Sequence, residues 1–236
     1  MMREDDLLGK KLLVVTAHPD DESYMVSGLI MKNRKRGGAT VLVCATVGEK
    51  GASHLKRPIT PVVLKRLRRQ ELIKVSKFLG IDKLHILGLP DGGVAGRQTE
   101  FYRRVLPIAR QYRPDFVFSY GEDGISGHHD HVTAGRVARR VAHALKTPFV
   151  SWTLPPGAIG KALRWIKLRR KNPHYQDDKR MVHRRPNLIV PIARGVKLKS
   201  LRFHASQLDA RDPFKHFPKS LVKAFISAEY FVVSGE

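Results

Sequence analysis

Five short apolar runs rich in Val, Ile, Leu and Phe recur along the first two thirds of the chain: "KLLVVTA" (11–17), "TVLVCATV" (40–47), "KLHILGL" (83–89), "DFVFSYG" (115–121) and "FVSWTL" (149–154). Near-continuous apolar runs of this length are how strands covered on both faces read. Between them lie "SGLIMKNRKRGG", a longer stretch from Pro61 to Gly80, "TEFYRRVLPIARQY" and "HVTAGRVARRVAHALK". Their apolar residues fall at helical spacing, with Gly or Pro close by as terminators. Past Pro155 and Pro156 the pattern loosens. "NLIVPIA" (187–193) predicts another strand, "KLKSLRFHASQL" (197–208) a helix and "EYFVV" (229–233) a final strand, while 157–186 holds too little apolar periodicity to assign.

Strand, helix, strand repeated four times predicts an α/β fold, a Rossmann-like open and mostly parallel sheet with right-handed crossovers and helices on both faces. With 236 residues and no point at which the apolar segments divide, the chain reads as a single domain over 1–236. In open α/β sheets, ligands bind beyond the carboxyl ends of the strands. That rule selects the polar clusters that follow the runs: "AHPDDE" after the first, "GEKG" after the second, "LPDGG" after the third and "GEDGISGHHDH" after the fourth. All four fall on one edge of the sheet.

"HPDDE" crowds three carboxylates and an imidazole where a buried strand ends, although neighbouring carboxylates repel and are costly to desolvate. A bound cation would offset that cost. His18 and Asp21 are three apart, a spacing that lets both converge on one point, and His128 and His131 repeat it at the start of another predicted helix. Imidazole nitrogens and a carboxylate oxygen with one open position suit a catalytic Zn²⁺, and Fe²⁺ or Mn²⁺ accept the same donors. A carboxylate near a helix start is more often only a cap. The second His cluster, behind a strand of the same sheet, tips the balance towards a metal. "GEKG" and "LPDGG" lack the phosphate-loop patterns and carry an acid where phosphate would be repelled, so they read as turns or sugar-binding loops.

Composition narrows the setting. A lone cysteine, Cys44, inside an apolar run excludes a disulfide scaffold and reads as a small buried hydrophobe. "LLVVTA" is too short for a signal-peptide core or a membrane span, and the expected location is cytoplasmic. The net charge of +23 is concentrated in 161–205, where 14 Lys/Arg face only Asp177 and Asp178. Such a field suits an anionic substrate or an anionic membrane surface, or is simply a solvated face. Nucleic acid fits less well, because neither an aromatic stacking platform nor a reading helix is visible. A homo-oligomer is compatible with the sequence.

"AHPDDE" and "GHHDH", three strands apart, resemble the motifs of the PIG-L (LmbE-like) family of zinc-dependent N-acetylglucosaminyl deacetylases, and "TVGEKG", "RLRRQELIKVSKFLG", "LGLPDGG" and "KLKSLRFHASQ" extend the likeness over most of the chain. The resemblance implies a metal held by His18, Asp21 and His131, with Asp20 as general base, His128 beside the developing oxyanion and Asp130 orienting an imidazole. It further implies that Asp91 contacts sugar hydroxyls and that Arg68 and His204, with Gln207, approach the substrate. Glu22 is expected behind the site or at the helix dipole. His129 stands where the family commonly has proline, and is expected to face solvent. The function so implied is removal of the N-acetyl group from an N-acetylglucosamine-type sugar or its conjugate. A metal-dependent amide hydrolase acting on a non-sugar N-acyl compound is the second reading, and a basic binder with a vestigial site the third. Free N-acetylglucosamine, an inositol or malate glycoside, a lipid-linked sugar and an oligosaccharide all share the acetamide.

Overall fold

In β1 (Lys11–Thr16) only the first residue is exposed, as expected of a strand covered on both faces. The computed structural model describes residues 2–51, 53–55, 58–154, 184–209, 212–215 and 219–234. After β1 come α1 (Asp21–Met25), α2 (Ser27–Lys35), β2 (Ala39–Cys44), α3 (Pro61–Leu79), β3 (Lys83–Ile86), α4 (Gln98–Tyr112), β4 (Phe116–Tyr120), α5 (His129–Leu145) and β5 (Phe149–Trp152). The C-terminal part supplies β6 (Leu188–Pro191), α6 (Arg194–Arg202), α7 (Lys219–Phe225) and β7 (Ala228–Ser234).

The seven strands form one sheet in the order β3-β2-β1-β4-β5-β7-β6. The first five are parallel, and β7 runs antiparallel to both β5 and β6. The apolar runs anticipated the parallel part, but period alone does not tell the direction of the last two strands. Chain order reverses between β1 and β4, which pair with Val14 opposite Phe118. That neighbouring pair is the switch point at which a ligand site is expected.

Burial explains the two kinds of strand. Every residue of β4 and all but the first of β1 and β2 are buried, whereas the edge strand β6 alternates and leaves Ile189 exposed. One apolar core unites Leu12, Val14, Leu42, Phe101, Phe118, Trp152 and Phe231, each fully or almost fully buried. Burying a side chain of this size contributes roughly 1.5–3 kcal/mol relative to exposure. α2 packs with α3 and α4 with α5, the pairing that right-handed crossovers place on opposite faces. A Cβ on Gly135 would lie 2.5 Å from the Tyr120 carbonyl oxygen, so glycine lets α5 seat directly on the end of β4.

Local chemistry sets the helix bounds. Thr60 caps α3 by accepting from the Val63 N–H, Pro61 occupies its first turn, and Gly80 ends it in the left-handed region. Two boundaries differ from expectation. The helix predicted from Ser27 is preceded by the five-residue α1, and that predicted over 197–208 ends at Arg202, followed by a 3-10 turn at Ala205–Gln207. Most of the unassigned 157–186 lies outside the described residues. No helix among the described residues is long and apolar enough to cross a membrane.

Candidate active site

Where β1 ends, the Ala17 and His18 N–H groups both donate to Asp21 Oδ2, at 3.1 and 2.7 Å. The first turn of α1 thereby folds the Asp21 carboxylate back over the strand end. Asp21 Oδ1 faces His131 Nε2 at 3.5 Å, and His18 Nδ1 lies 3.1 Å from the same nitrogen and 3.9 Å from Asp21 Oδ2. His131 reaches this point from the first turn of α5, just past β4. Adjacency of β1 and β4 thus joins residues 113 apart in sequence. The His131 ring stacks on Tyr120 with centroids 4.3 Å apart, and its Nδ1 donates to the Gly124 carbonyl at 3.1 Å. Its Nε2 therefore presents a lone pair.

The other edge of His18 is equally held. Nε2 lies 3.1 Å from Asp91 Oδ1 and 3.4 Å from Asp130 Oδ2. Asp130 also accepts from the Gly92 and Val94 N–H groups, and Asp91 from that of Lys50, which ties the loops after β2 and β3 to the imidazole. His128 caps α5, its Nδ1 accepting from the Asp130 N–H at 3.1 Å, so its proton sits on Nε2. Its ring meets His18 edge-on at 4.9 Å. His129 is exposed, as anticipated.

Burial disfavours a charge on each imidazole, but Asp130, Asp91 and Asp21 outweigh it at His18 and push that group up to about 10. Burial and the His18 charge push His131 down to about 3, and burial with its two histidine neighbours lowers His128 as well. Two imidazole nitrogens 3.1 Å apart, His18 Nδ1 and His131 Nε2, call for a proton between them. A divalent cation in that position would meet the same demand. His18, Asp21 and His131 each offer a donor atom within 4.8 Å of the others. Bonds of ~2.0–2.1 Å place tetrahedral donors about 3.3 Å apart, close to the N···N and N···O separations found here. His18, His128 and Asp130 form a second such group, but its His18 nitrogen is occupied by carboxylates.

Asp20 differs sharply from Asp21. Its side chain keeps 23% exposure against 7% for Asp21, and its nearest cation, Arg68 Nη2, is 3.4 Å away. Its backbone lies at φ 101°, a conformation that costs a non-glycine residue on the order of 1–3 kcal/mol and persists only when neighbours impose it. Arg68 is one such neighbour, donating to the carbonyls of Pro19 (2.6 Å) and Gly48 (2.8 Å). A Cβ on Gly48, at φ +68°, would sit 2.1 Å from that guanidinium. Glu22 Oε2 accepts from the Asp20 N–H, while its Oε1 accepts from Ser23 and pairs with His204 Nε2 at 2.8 Å.

Arg68, Asp91 and His204, expected at the substrate, are 4%, 6% and 0% exposed and engage partners inside the protein. Sequence reasoning missed the Gly124 carbonyl and the Tyr120 ring that orient His131, and the role of Lys197. Lys197 belongs to the stretch read as a basic face, yet it is 1% exposed, donates to the Tyr24 carbonyl and pairs with Glu229 at 3.2 Å. Glu229 in turn accepts from the Gly28 and Leu29 N–H groups at the start of α2. The only sequence signal was position, since Lys197 falls on the apolar side of α6 with Leu201. Arg184, Arg185, Arg194, Lys199 and Arg202 from the same stretch are exposed.

Residues 13–142 match the family model described as "PIG-L: GlcNAc-PI de-N-acetylase". Two relatives carry the name 1D-myo-inositol 2-acetamido-2-deoxy-alpha-D-glucopyranoside deacetylase. One, from Corynebacterium diphtheriae, is 30% identical over 64% of this chain and 58% of its own length. The other, from Streptomyces avermitilis, is 28% identical over 98% of this chain and 94% of its own. The chain thus spans less than two thirds of the first and nearly all of the second. Among solved structures, the N,N'-diacetylchitobiose deacetylase from Pyrococcus horikoshii shares the fold with a TM-score of 0.65 and 23% identity, covering 95% of this chain and 84% of that one.

Proposed function

Because the chain belongs to the PIG-L family, we propose that it is a metal-dependent hydrolase that removes the N-acetyl group from an N-acetylglucosamine-type sugar or its conjugate. The observation that carries this reading is the convergence of His18, Asp21 and His131 at the β1/β4 switch point, with a second, half-open aspartate beside them. These three residues would hold the cation, and zinc suits two nitrogens and an oxygen with an open position. When bound, such an ion supplies Lewis-acid polarisation of the acetamide and activation of water.

The chain's own groups account for the rest. Asp20 takes the proton from the attacking water and returns it to the leaving amine. Burial, opposed by Arg68 and helped by Asp21, holds its carboxyl up at about 6, near the operating range of a general base. His128, neutral with its proton on Nε2, donates to the developing oxyanion. Asp91 and Asp130 fix the His18 ring, the usual service of carboxylates behind a ligating histidine. Arg68 holds the Pro19–Asp20 turn.

The inositol glycoside and the chitobiose in the relatives' names share only the acetamido sugar, so that unit is the substrate class proposed here. The test is acetate release from a panel of N-acetylglucosamine, its inositol and malate glycosides, diacetylchitobiose and a non-sugar N-acyl amine, with Zn²⁺ supplied. Hydrolysis of at least one sugar conjugate is expected. Turnover of the non-sugar amide alone would establish the second reading instead.

A further inference from the structure

We propose that His204 and Glu22 form a clamp that holds the main chain of Asp20 in its left-handed conformation, making His204 a positioning residue rather than a substrate contact. The inference rests on the assignment of Asp20 as general base. His204 follows α6, and the turn that carries it is anchored to α3 because Ser206 donates through both its N–H and its hydroxyl to Glu71, at 2.8 and 2.7 Å. From that anchor the imidazole donates to Glu22 at 2.8 Å, with both side chains at most 1% exposed. Glu22 passes the constraint on, because its second oxygen accepts the Asp20 N–H at 3.1 Å.

Asp20 is held from the other sides as well. Its carbonyl accepts from the Ser23 and Tyr24 N–H groups, and Arg68 grips the carbonyl of Pro19. Among these holds, the Glu22 carboxylate is 0% exposed, and it keeps its place only while hydrogen-bond donors hold it. His204 is the partner that reaches it from outside α1, beside the neighbouring Ser23 hydroxyl on the same oxygen. His204 Nδ1 is buried and has no hydrogen-bond partner among the described residues, so Nε2 makes the ring's one polar contact there, to Glu22. Losing the imidazole would free the Glu22 side chain to turn away, the Asp20 N–H would lose its acceptor, and residue 20 would relax to negative φ with its carboxylate displaced from the reacting water.

His204→Leu and His204→Gln separate this from the alternatives, the Gln amide being able to donate to Glu22 from a similar position. His204→Leu is expected to lower kcat ~10–100-fold, the range for groups that orient a site residue, with KM and zinc content unchanged. His204→Gln should recover most of that loss. In an Asp20→Asn background the further cost of His204→Leu should shrink to about threefold or less, because the group it positions is already disabled. A raised KM at constant kcat, or the full loss repeated in the Asp20→Asn background, would overturn the clamp. A crystal structure of His204→Leu supplies a readout without activity: residue 20 should leave the left-handed region, and retention of φ near its present value would contradict the proposal. If His204→Leu does not fold, His204→Asn, polar and too short to reach Glu22, takes its place in every arm. If no N-acetyl sugar is hydrolysed by the unmodified protein, the functional reading fails, and the crystallographic arm still decides the clamp.

Discussion

Residues 11–145 and residues 184–234 contribute to the same site in different ways. The first region ends its parallel strands in polar turns and brings His18, Asp20, Asp21, His128 and His131, the groups proposed to act on the substrate, to one edge of the sheet. The second contributes buried ion pairs, Lys197 with its own Glu229 and His204 with Glu22 of the first region. The front supplies chemistry, and the back holds α1 and α2, which carry that chemistry, in place. Lys197 fastens the end of α1 through the Tyr24 carbonyl, Glu229 fastens the start of α2, and His204 fastens the turn before α1 through Glu22.

Substitutions on the two sides should therefore fail differently. The largest stability effect is expected from Lys197→Met, which leaves Glu229 buried without its cation and should cost roughly 3–5 kcal/mol in denaturant unfolding. Retention of full stability would mean the pair is dispensable. Asp91→Asn, on the front side, should instead weaken zinc binding on the order of 10–100-fold, as titration with a competing chelator would show. Smallest of all, Glu100→Ala on the exposed face of α4 removes an ion pair with Arg104 and should shift unfolding by only about 0.3–0.5 kcal/mol. A larger change there would mean that exposed charge matters as much as buried charge in this protein.

The same contrast explains what could be read from the chain alone. The parallel strands and the four strand-end motifs were legible because burial on both faces writes continuous apolar runs, and the turns after them lie where α/β sheets bind ligands. Direction and pairing of β6 and β7 were not, since an apolar run carries no sign of the strand it will join. Arg68, Asp91 and His204 were expected at the substrate, and their partners inside the protein were not foreseen. His204 meets Glu22 across 182 residues, and only the folded sheet brings them together. Lys197 was hidden by its charge, because a lysine within a basic stretch reads as surface until a buried carboxylate is found beside it. The break of α6 after Arg202 has the same origin: His204 leaves helical geometry, at ψ 49°, where its side chain pairs with Glu22.

The central claim is the division of labour between two adjacent residues of one type, and metal content measured beside turnover on Asp20→Asn and Asp21→Asn tests it most directly. Asp21 is buried, with one oxygen taken by two backbone N–H groups and the other facing His131, whereas Asp20 stays half-open on the strained turn. Asp20→Asn should therefore keep about one zinc per chain and lose rate by ~10²–10⁴-fold. Asp21→Asn should lose the metal and regain part of its activity in excess Zn²⁺, because an amide oxygen is the poorer ligand. A metal-deficient Asp20→Asn beside a metal-replete, slow Asp21→Asn would reverse the two roles and contradict the account.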